Sequence, residues 1–317
     1  MNHYIADEQK DINSPYKLAH ISDPHLSTLD EVSWTQLLNK RVLGYLSWYG
    51  NRRHIHRMDV LEDLLSDLAT TKSNHLVISG DLTHIGTPQE FRQVAEWLAR
   101  HGSPEQISVV PGNHDSYVNE DPGRTLSLWS PFMLGDDQDG KTSSELFPSF
   151  RQRGPVAIVG LSTAVPTAPF FATGKLGTAQ ISKMKELLER ARQMGLFRIV
   201  VLHHGPLESS NKFRKRLIDA GEFREALSTV GAELILHGHG HHPVTEWLDV
   251  NGTEVPVVGA PSASQLSSSN YKRAGYNTYE VERNEQGWLL KISSRRFEDP
   301  PGILKDTDCR EVQLPAA

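Results

Sequence analysis

Cysteine is almost absent from this 317-residue chain; the single Cys309 has no intramolecular partner, which excludes an internal disulfide framework and a thiolate metal cage. Long apolar runs are missing as well. None approaches the roughly 18–20 residues needed to cross a bilayer. Residues 1–16 are polar and mixed in charge, without the apolar core of a secretory signal, so they are expected to be a tail before the first strand. Nor is there an excess of positive charge. Lys and Arg number 33 against 39 Asp and Glu, a net charge of −6, which argues against general nucleic-acid binding because that requires a basic face. Repeats and low-complexity tracts are also lacking. A cytoplasmic α/β enzyme is the expectation.

What is present begins with hydrophobic patterning. Short apolar runs at 17–22, 75–79, 107–110, 156–162, 197–202 and 233–236 read as buried strands. Helical spacing separates them at 58–71, 88–101 and 178–195, with one or two further helices within 211–230. Pro88 stands where a first helical turn tolerates it. Residues 116–150 read as an irregular excursion with one short helix at most. From 244 onward the pattern shifts to β runs at 244–250, 254–258, 276–281 and 288–294, and 299–317 reads as a polar C-terminal tail. Strand–helix alternation followed by a β-rich end implies a sheet-based α/β core with helices outside.

Five of the apolar strands run directly into metal-binding side chains. The segments are Asp23-Pro24-His25, Gly80-Asp81, Gly112-Asn113-His114-Asp115, His203-His204 and Gly238-His239-Gly240-His241. Open α/β sheets bind ligands outside the carboxyl ends of their strands, so five such loops can converge on one rim. Carboxylate, amide and imidazole donors in this mixture suit two divalent ions sharing a carboxylate. Each segment alone is ordinary turn or loop chemistry. Their joint occurrence, each after a strand, is not.

This ordered set resembles the calcineurin-like metallophosphoesterase superfamily, whose pattern is D-x-H, G-D, G-N-H-D/E, H and G-H-x-H. The resemblance runs from about Leu18 to His241. It implies a four-layer α/β fold, two packed mixed sheets flanked by helices, forming one catalytic domain over 17–298. It further implies that Asp23, His25 and His241 bind one metal, that Asn113, His203 and His239 bind the other, and that Asp81 bridges them. A water between the ions would then be the nucleophile. His114 would act beside the leaving-group oxygen, with Asp115 orienting it. His203 and His204 compete for one ligand position, and His203 is preferred because it follows the strand directly. His84 is a further candidate for lining the site, while His242 is expected outside it. Mn²⁺ or Fe is the expected pair, and Zn²⁺ also fits the donors.

Departures from relatives narrow the expectation. Protein phosphatases of the superfamily carry arginines after Gly-Asp and Gly-Asn-His to grip a phosphate dianion; here those stretches read Leu82-Thr83-His84 and Ser116-Tyr117. The Gly-Asp-Leu-Thr form is similar to bacterial cyclic-nucleotide phosphodiesterases. A small phosphodiester or a pyrophosphate bond is therefore the expected substrate. Residues 34–57 stand outside the motif chemistry. Leu37, Leu38, Val42, Tyr45, Leu46 and Tyr49 offer a helical apolar stripe, with Arg52, Arg53, Arg57, His54 and His56 clustered after it. They read as a helix packed on the body or as a cap beside the site, suited to peripheral contact with the inner membrane. The cap reading brings in a second enzyme hypothesis, a UDP-diacylglucosamine pyrophosphate hydrolase of lipid A synthesis. A non-catalytic binding module on the same fold is the alternative from another class.

Overall fold

The computed structural model describes residues 15–26, 28–30, 32–138, 146–207, 212–298 and 302–316. Most of the expected N-terminal tail lies outside these residues, as does the start of the 211–230 stretch. Twelve strands among the described residues form two six-stranded mixed sheets. In the first, β1 (Tyr16–Ile21), β2 (His75–Ile78) and β3 (Ile107–Val109) are parallel. The antiparallel strands β10 (Gly275–Asn284), β11 (Gly287–Phe297) and β12 (Leu304–Leu314) extend it from β1. In the second, β5 (Val156–Gly160), β6 (Phe197–Val201), β7 (Leu234–His237) and β9 (Thr253–Gly259) are parallel. The antiparallel edges are β4 (Ser149–Arg153) and β8 (Val244–Val250).

Three apolar clusters explain the layering. Leu18, Val77, Tyr279 and Leu290 from the first sheet meet Ile158, Phe197, Ile199 and Leu236 from the second, sealing the sheets face to face. The outer face of the first sheet is covered by α3 (Met58–Thr70) and α4 (Pro88–His101), through Leu61, Leu64, Leu65, Phe91, Val94 and Leu98. The second is covered by α6 (Thr178–Gln193) and α7 (Ala220–Val230), through Ile181, Met184, Leu188, Phe223 and Leu227. The result is the expected α/β/β/α sandwich. Helix α4 starts where its sequence dictates: Thr87 caps Glu90 N–H, Glu90 reaches back to Thr87 N–H, and Pro88 occupies the first turn.

Three expectations need correction. The stretch read as a polar C-terminal tail holds β12, an edge strand whose side chains are nearly all solvent-facing, so it lacks the apolar alternation that marks a strand. The supposed irregular excursion holds the expected short helix, α5 (Ser130–Met133), and its last two residues open β4, a second edge strand of mostly polar residues. Residues 34–57 do not form one helix with one apolar stripe. They break into a 3₁₀ turn (Trp34–Leu37), α1 (Arg41–Ser47), a π-helical stretch (Trp48–Arg52) and the short α2 (Arg53–Ile55). Changing residues per turn scrambles the expected face. Leu37, Arg41, Gly44 and Trp48 are buried, while Leu38 is 84 % exposed and Leu46 62 %.

Candidate metal centre

Every expected ligand sits just beyond a parallel strand, on the rim shared by both sheets. Asp23 and His25 follow β1, Asp81 follows β2, Asn113 follows β3, His203 follows β6, and His239 and His241 follow β7. The strands feed tightly packed loops: Asp23 N–H donates to the Gly80 carbonyl (3.0 Å), His25 N–H to the Asp81 carbonyl (3.1 Å), and Gly238 N–H to the His203 carbonyl (3.0 Å). Asp23, His25, Asp81, His239 and His241 all adopt positive φ, a conformation that non-glycine residues seldom hold without tertiary support. Glycine is required beside them. A Cβ on Gly112 would collide with the Asp81 carboxylate, and one on Gly238 with the Ser22 hydroxyl.

Two groups of donors share one carboxylate. Asp23, His25, Asp81 and His241 form the first and Asp81, His203 and His239 the second; within each, one donor atom per residue lies within 4.8 Å of the others. Asn113 Oδ1 is 3.3 Å from His203 Nε2, which places it at the second group. Ring orientation is set from behind: His25 Nδ1 donates to the Thr83 carbonyl (2.8 Å) and His203 Nδ1 to the Ser79 carbonyl (2.7 Å). Their Nε2 lone pairs therefore face inward. Nε2 of His25 and of His239 are buried without a hydrogen-bond partner, the arrangement that a cation-binding cluster needs. The donors thus fit divalent metal ions.

The local field points the same way. Burial pushes the Asp81 carboxyl upward, but His203, His114 and His25 outweigh it and hold the group well below the ordinary carboxylate range. Burial acts downward on His203, and the Asp81 ion pair at 3.3 Å overrides it, raising the imidazole to about 9. Burial depresses His25 and His239, keeping them neutral and able to donate a lone pair. His204 is differently placed. Its Nδ1 accepts from the Thr163 hydroxyl (2.7 Å) and its Nε2 donates to the Ala172 carbonyl (3.1 Å), so both ring nitrogens are engaged away from the cluster. His242 stacks on Tyr271, outside it.

His114 and Asp115 lie beside the donors, but not in the expected relation. The Asp115 carboxylate accepts from Leu82 N–H (3.0 Å), Thr83 N–H (2.9 Å) and Gly112 N–H (2.9 Å), so it braces the loops around Asp81. Burial and then the Asp81 charge push its carboxyl up to about 7, against the pull of these donors. The His114 ring is oriented instead by the His84 carbonyl, 2.5 Å from Nδ1. A backbone carbonyl leaves no trace in a motif. Burial, opposed by Asp81 and assisted by Arg52, holds the His114 imidazole down to about 3.

Further neighbours surround the donors, among them His84, the sequence candidate for lining the site. The ring of His56 packs 4.3 Å from His25 and 5.4 Å from His241, and His25, His56 and His241 form a third donor group. His56 Nδ1 is 3.0 Å from Ser264 Oγ, and Ser262 Oγ donates to the Asp23 carbonyl (2.7 Å), so the Ser-rich loop after β9 does reach the site. His84 stacks on His25 with ring centroids 5.1 Å apart. The motif loops carry no arginine, but the 34–57 segment delivers one: Arg52 Nη1 is 3.0 Å from His114 Nε2.

The calcineurin-like phosphoesterase family model matches residues 16–243, and the chain belongs to that family. It is a metallophosphoesterase, a phosphoric ester hydrolase by class. The chain is 24 % identical over 278 residues to a protein of Vesicomyosocius okutanii named probable cyclic nucleotide phosphodiesterase, covering 86 % of this chain and 96 % of the relative. A protein of the same name from Ruthia magnifica is 25 % identical over 233 residues, covering 71 % and 85 %. Among solved structures, a dimetal phosphatase from Danio rerio superposes with a TM-score of 0.61 at 10 % identity, covering 96 % of this chain and all of that one. That likeness concerns the fold.

Proposed function

We propose that the protein hydrolyses a small phosphodiester, such as a cyclic nucleotide, or a pyrophosphate bond, at a pair of divalent ions. One observation carries this reading: two groups of donors share the Asp81 carboxylate. Asp23, His25 and His241 would hold one ion, Asn113, His203 and His239 the other, with Asp81 common to both. Mn²⁺ or iron suits the oxygen and imidazole donors, and Zn²⁺ also fits. When bound, such ions lower the pKa of water and offset charge developing on a phosphoryl group. The chain itself contributes position. His114 would act on the leaving-group side, where an anionic phosphoryl group that draws the Arg52 guanidinium off Nε2 would raise its pKa toward the range where it can hand over a proton. The names of the two sequence relatives favour a cyclic nucleotide among diesters.

A second reading draws on the surface of 34–57, where Trp34 is 81 % exposed and Leu38, Leu46 and Tyr49 are exposed as well. Such a surface suits acyl chains or a membrane interface, as a UDP-diacylglucosamine pyrophosphate hydrolase would need. Metal-reconstituted protein assayed against cyclic nucleotides, glycerophosphodiesters, a chromogenic diester and nucleotide-sugar lipids separates the two. A Trp34→Ser, Leu38→Ser, Leu46→Ser variant should lose only lipid turnover if the second holds. In either case Asn113→Ala should abolish hydrolysis, and wild-type rates in that variant would contradict the ligand assignment.

A further inference from the structure

Arg52 differs from the arginines that tie the fold together. Arg41 donates to the Ile85 and Gly86 carbonyls and pairs with Glu120; Arg198 pairs with Glu233, Arg295 with Asp67, and Arg151 with four backbone carbonyls. Arg52 is partly buried, yet among the described residues no carboxylate lies within ion-pair reach of it. Its acceptor is the His114 imidazole, at 3.0 Å to Nε2 and 3.3 Å to Nδ1. Because His114 Nδ1 already donates to the His84 carbonyl, Nε2 is the accepting atom. A guanidinium has five N–H donors, so most of this group's capacity is unspent beside the metal-binding cluster.

The backbone explains how it arrives there. Gly44 packs so tightly that a Cβ would sit 2.5 Å from Ile85 and 2.8 Å from the Tyr117 hydroxyl, and Trp48 is buried beside Leu29 and Ile85. The π-helical stretch Trp48–Arg52 then re-aims the chain, and π-helical turns recur where a side chain must be placed off the regular helical face. A part-buried guanidinium with spare donors and, among the described residues, no carboxylate partner describes an oxyanion-binding group.

We infer that Arg52 is a substrate-binding residue: its guanidinium grips a non-bridging oxygen of the substrate phosphoryl group, on the His114 side of the centre. This rests on the phosphohydrolase reading above. The 34–57 segment is then part of the substrate site through a charge, whatever its apolar surface contacts.

The test is calorimetric titration of inorganic phosphate into manganese-loaded wild type, Arg52→Gln, Arg52→Lys and Arg53→Gln, with manganese per chain measured in each. Arg53 is an exposed neighbour lying over the Tyr49 ring, so its loss removes the same charge from the same element. Arg52→Gln should bind phosphate roughly ten- to a hundredfold more weakly with unchanged manganese, Arg52→Lys should fall between, and Arg53→Gln should match wild type. With a chromogenic diester, the KM of Arg52→Gln should rise by a similar factor. Equal phosphate affinity in Arg52→Gln and wild type overturns the proposal, as does loss of manganese from Arg52→Gln, which would make Arg52 a support of the cluster. Absence of diester turnover in the wild type sinks the hydrolase reading separately, and the phosphate titration still decides the role of Arg52.

Discussion

At the scale of single residues, the centre is a set of strained conformations held by polar groups behind them. Left-handed backbone costs a non-glycine residue about 1–2 kcal/mol, and five donor-bearing residues adopt it. Asp115 secures one of these turns by accepting from both sides of it, at Leu82 and Thr83 and at Gly112. Asp115→Asn replaces one acceptor oxygen by an amide that faces donors. We expect a loss of about 1–3 kcal/mol in denaturant unfolding together with weaker metal uptake; unchanged metal affinity would separate Asp115 from the Asp81 turn. Away from the centre, His75 is buried on β2 with Nε2 on Ser108, and burial, with Arg153 and Arg151 nearby, keeps its pKa well below 6.5. The folded state thus resists a proton that the unfolded chain accepts. Stability from this residue is complete above pH 6.5 and falls as the pH drops below it. His75→Gln should flatten the decline in thermal midpoint between pH 6.5 and 5, and an identical decline would exclude His75 as a contributor.

At the scale of elements, Arg41 is one of the ties between the 34–57 segment and the body. Its guanidinium reaches the carbonyls of Ile85 and Gly86, in the loop whose His84 carbonyl orients His114, and pairs with Glu120 at 2.7 Å. Arg41→Met leaves Glu120 and two carbonyls without their cation. It should cost about 2–4 kcal/mol of stability and raise KM for a diester while bound metal stays constant. Metal loss instead would mean that the segment supports the ligands rather than the substrate. The same elements show what patterning can reveal. The interior parallel strands and α4 were legible because buried runs and caps follow from local chemistry, and the donor residues were legible because each follows such a strand. The edge strands β4 and β12 were not: β4 is short and mostly polar, and most residues of β12 face solvent. Nor was Arg52, whose role depends on a change in residues per turn that no periodicity announces.

At the scale of the whole molecule, the donors come from both sheets. Asp23, Asp81 and Asn113 belong to the first, and His203, His239 and His241 to the second, so any ion bound by both sets cross-links layers otherwise joined by apolar packing. Without cations, close approach of Asp23 and Asp81 is repulsive, since each raises the other's neighbourhood in negative potential. Binding to the folded chain alone stabilises it by RT ln(1 + [L]/Kd), about 2.7 kcal/mol when free metal exceeds Kd by a hundredfold. For a chain of this size that corresponds to a shift of about 3–8 °C in thermal midpoint. Calorimetric scans with and without a strong chelator should therefore differ by that amount in wild type. Asp81→Asn, which removes the shared ligand, should melt alike in both conditions. If chelation leaves the wild-type midpoint unmoved, the two sheets do not share bound metal, and the rim is a polar seam rather than a dinuclear centre.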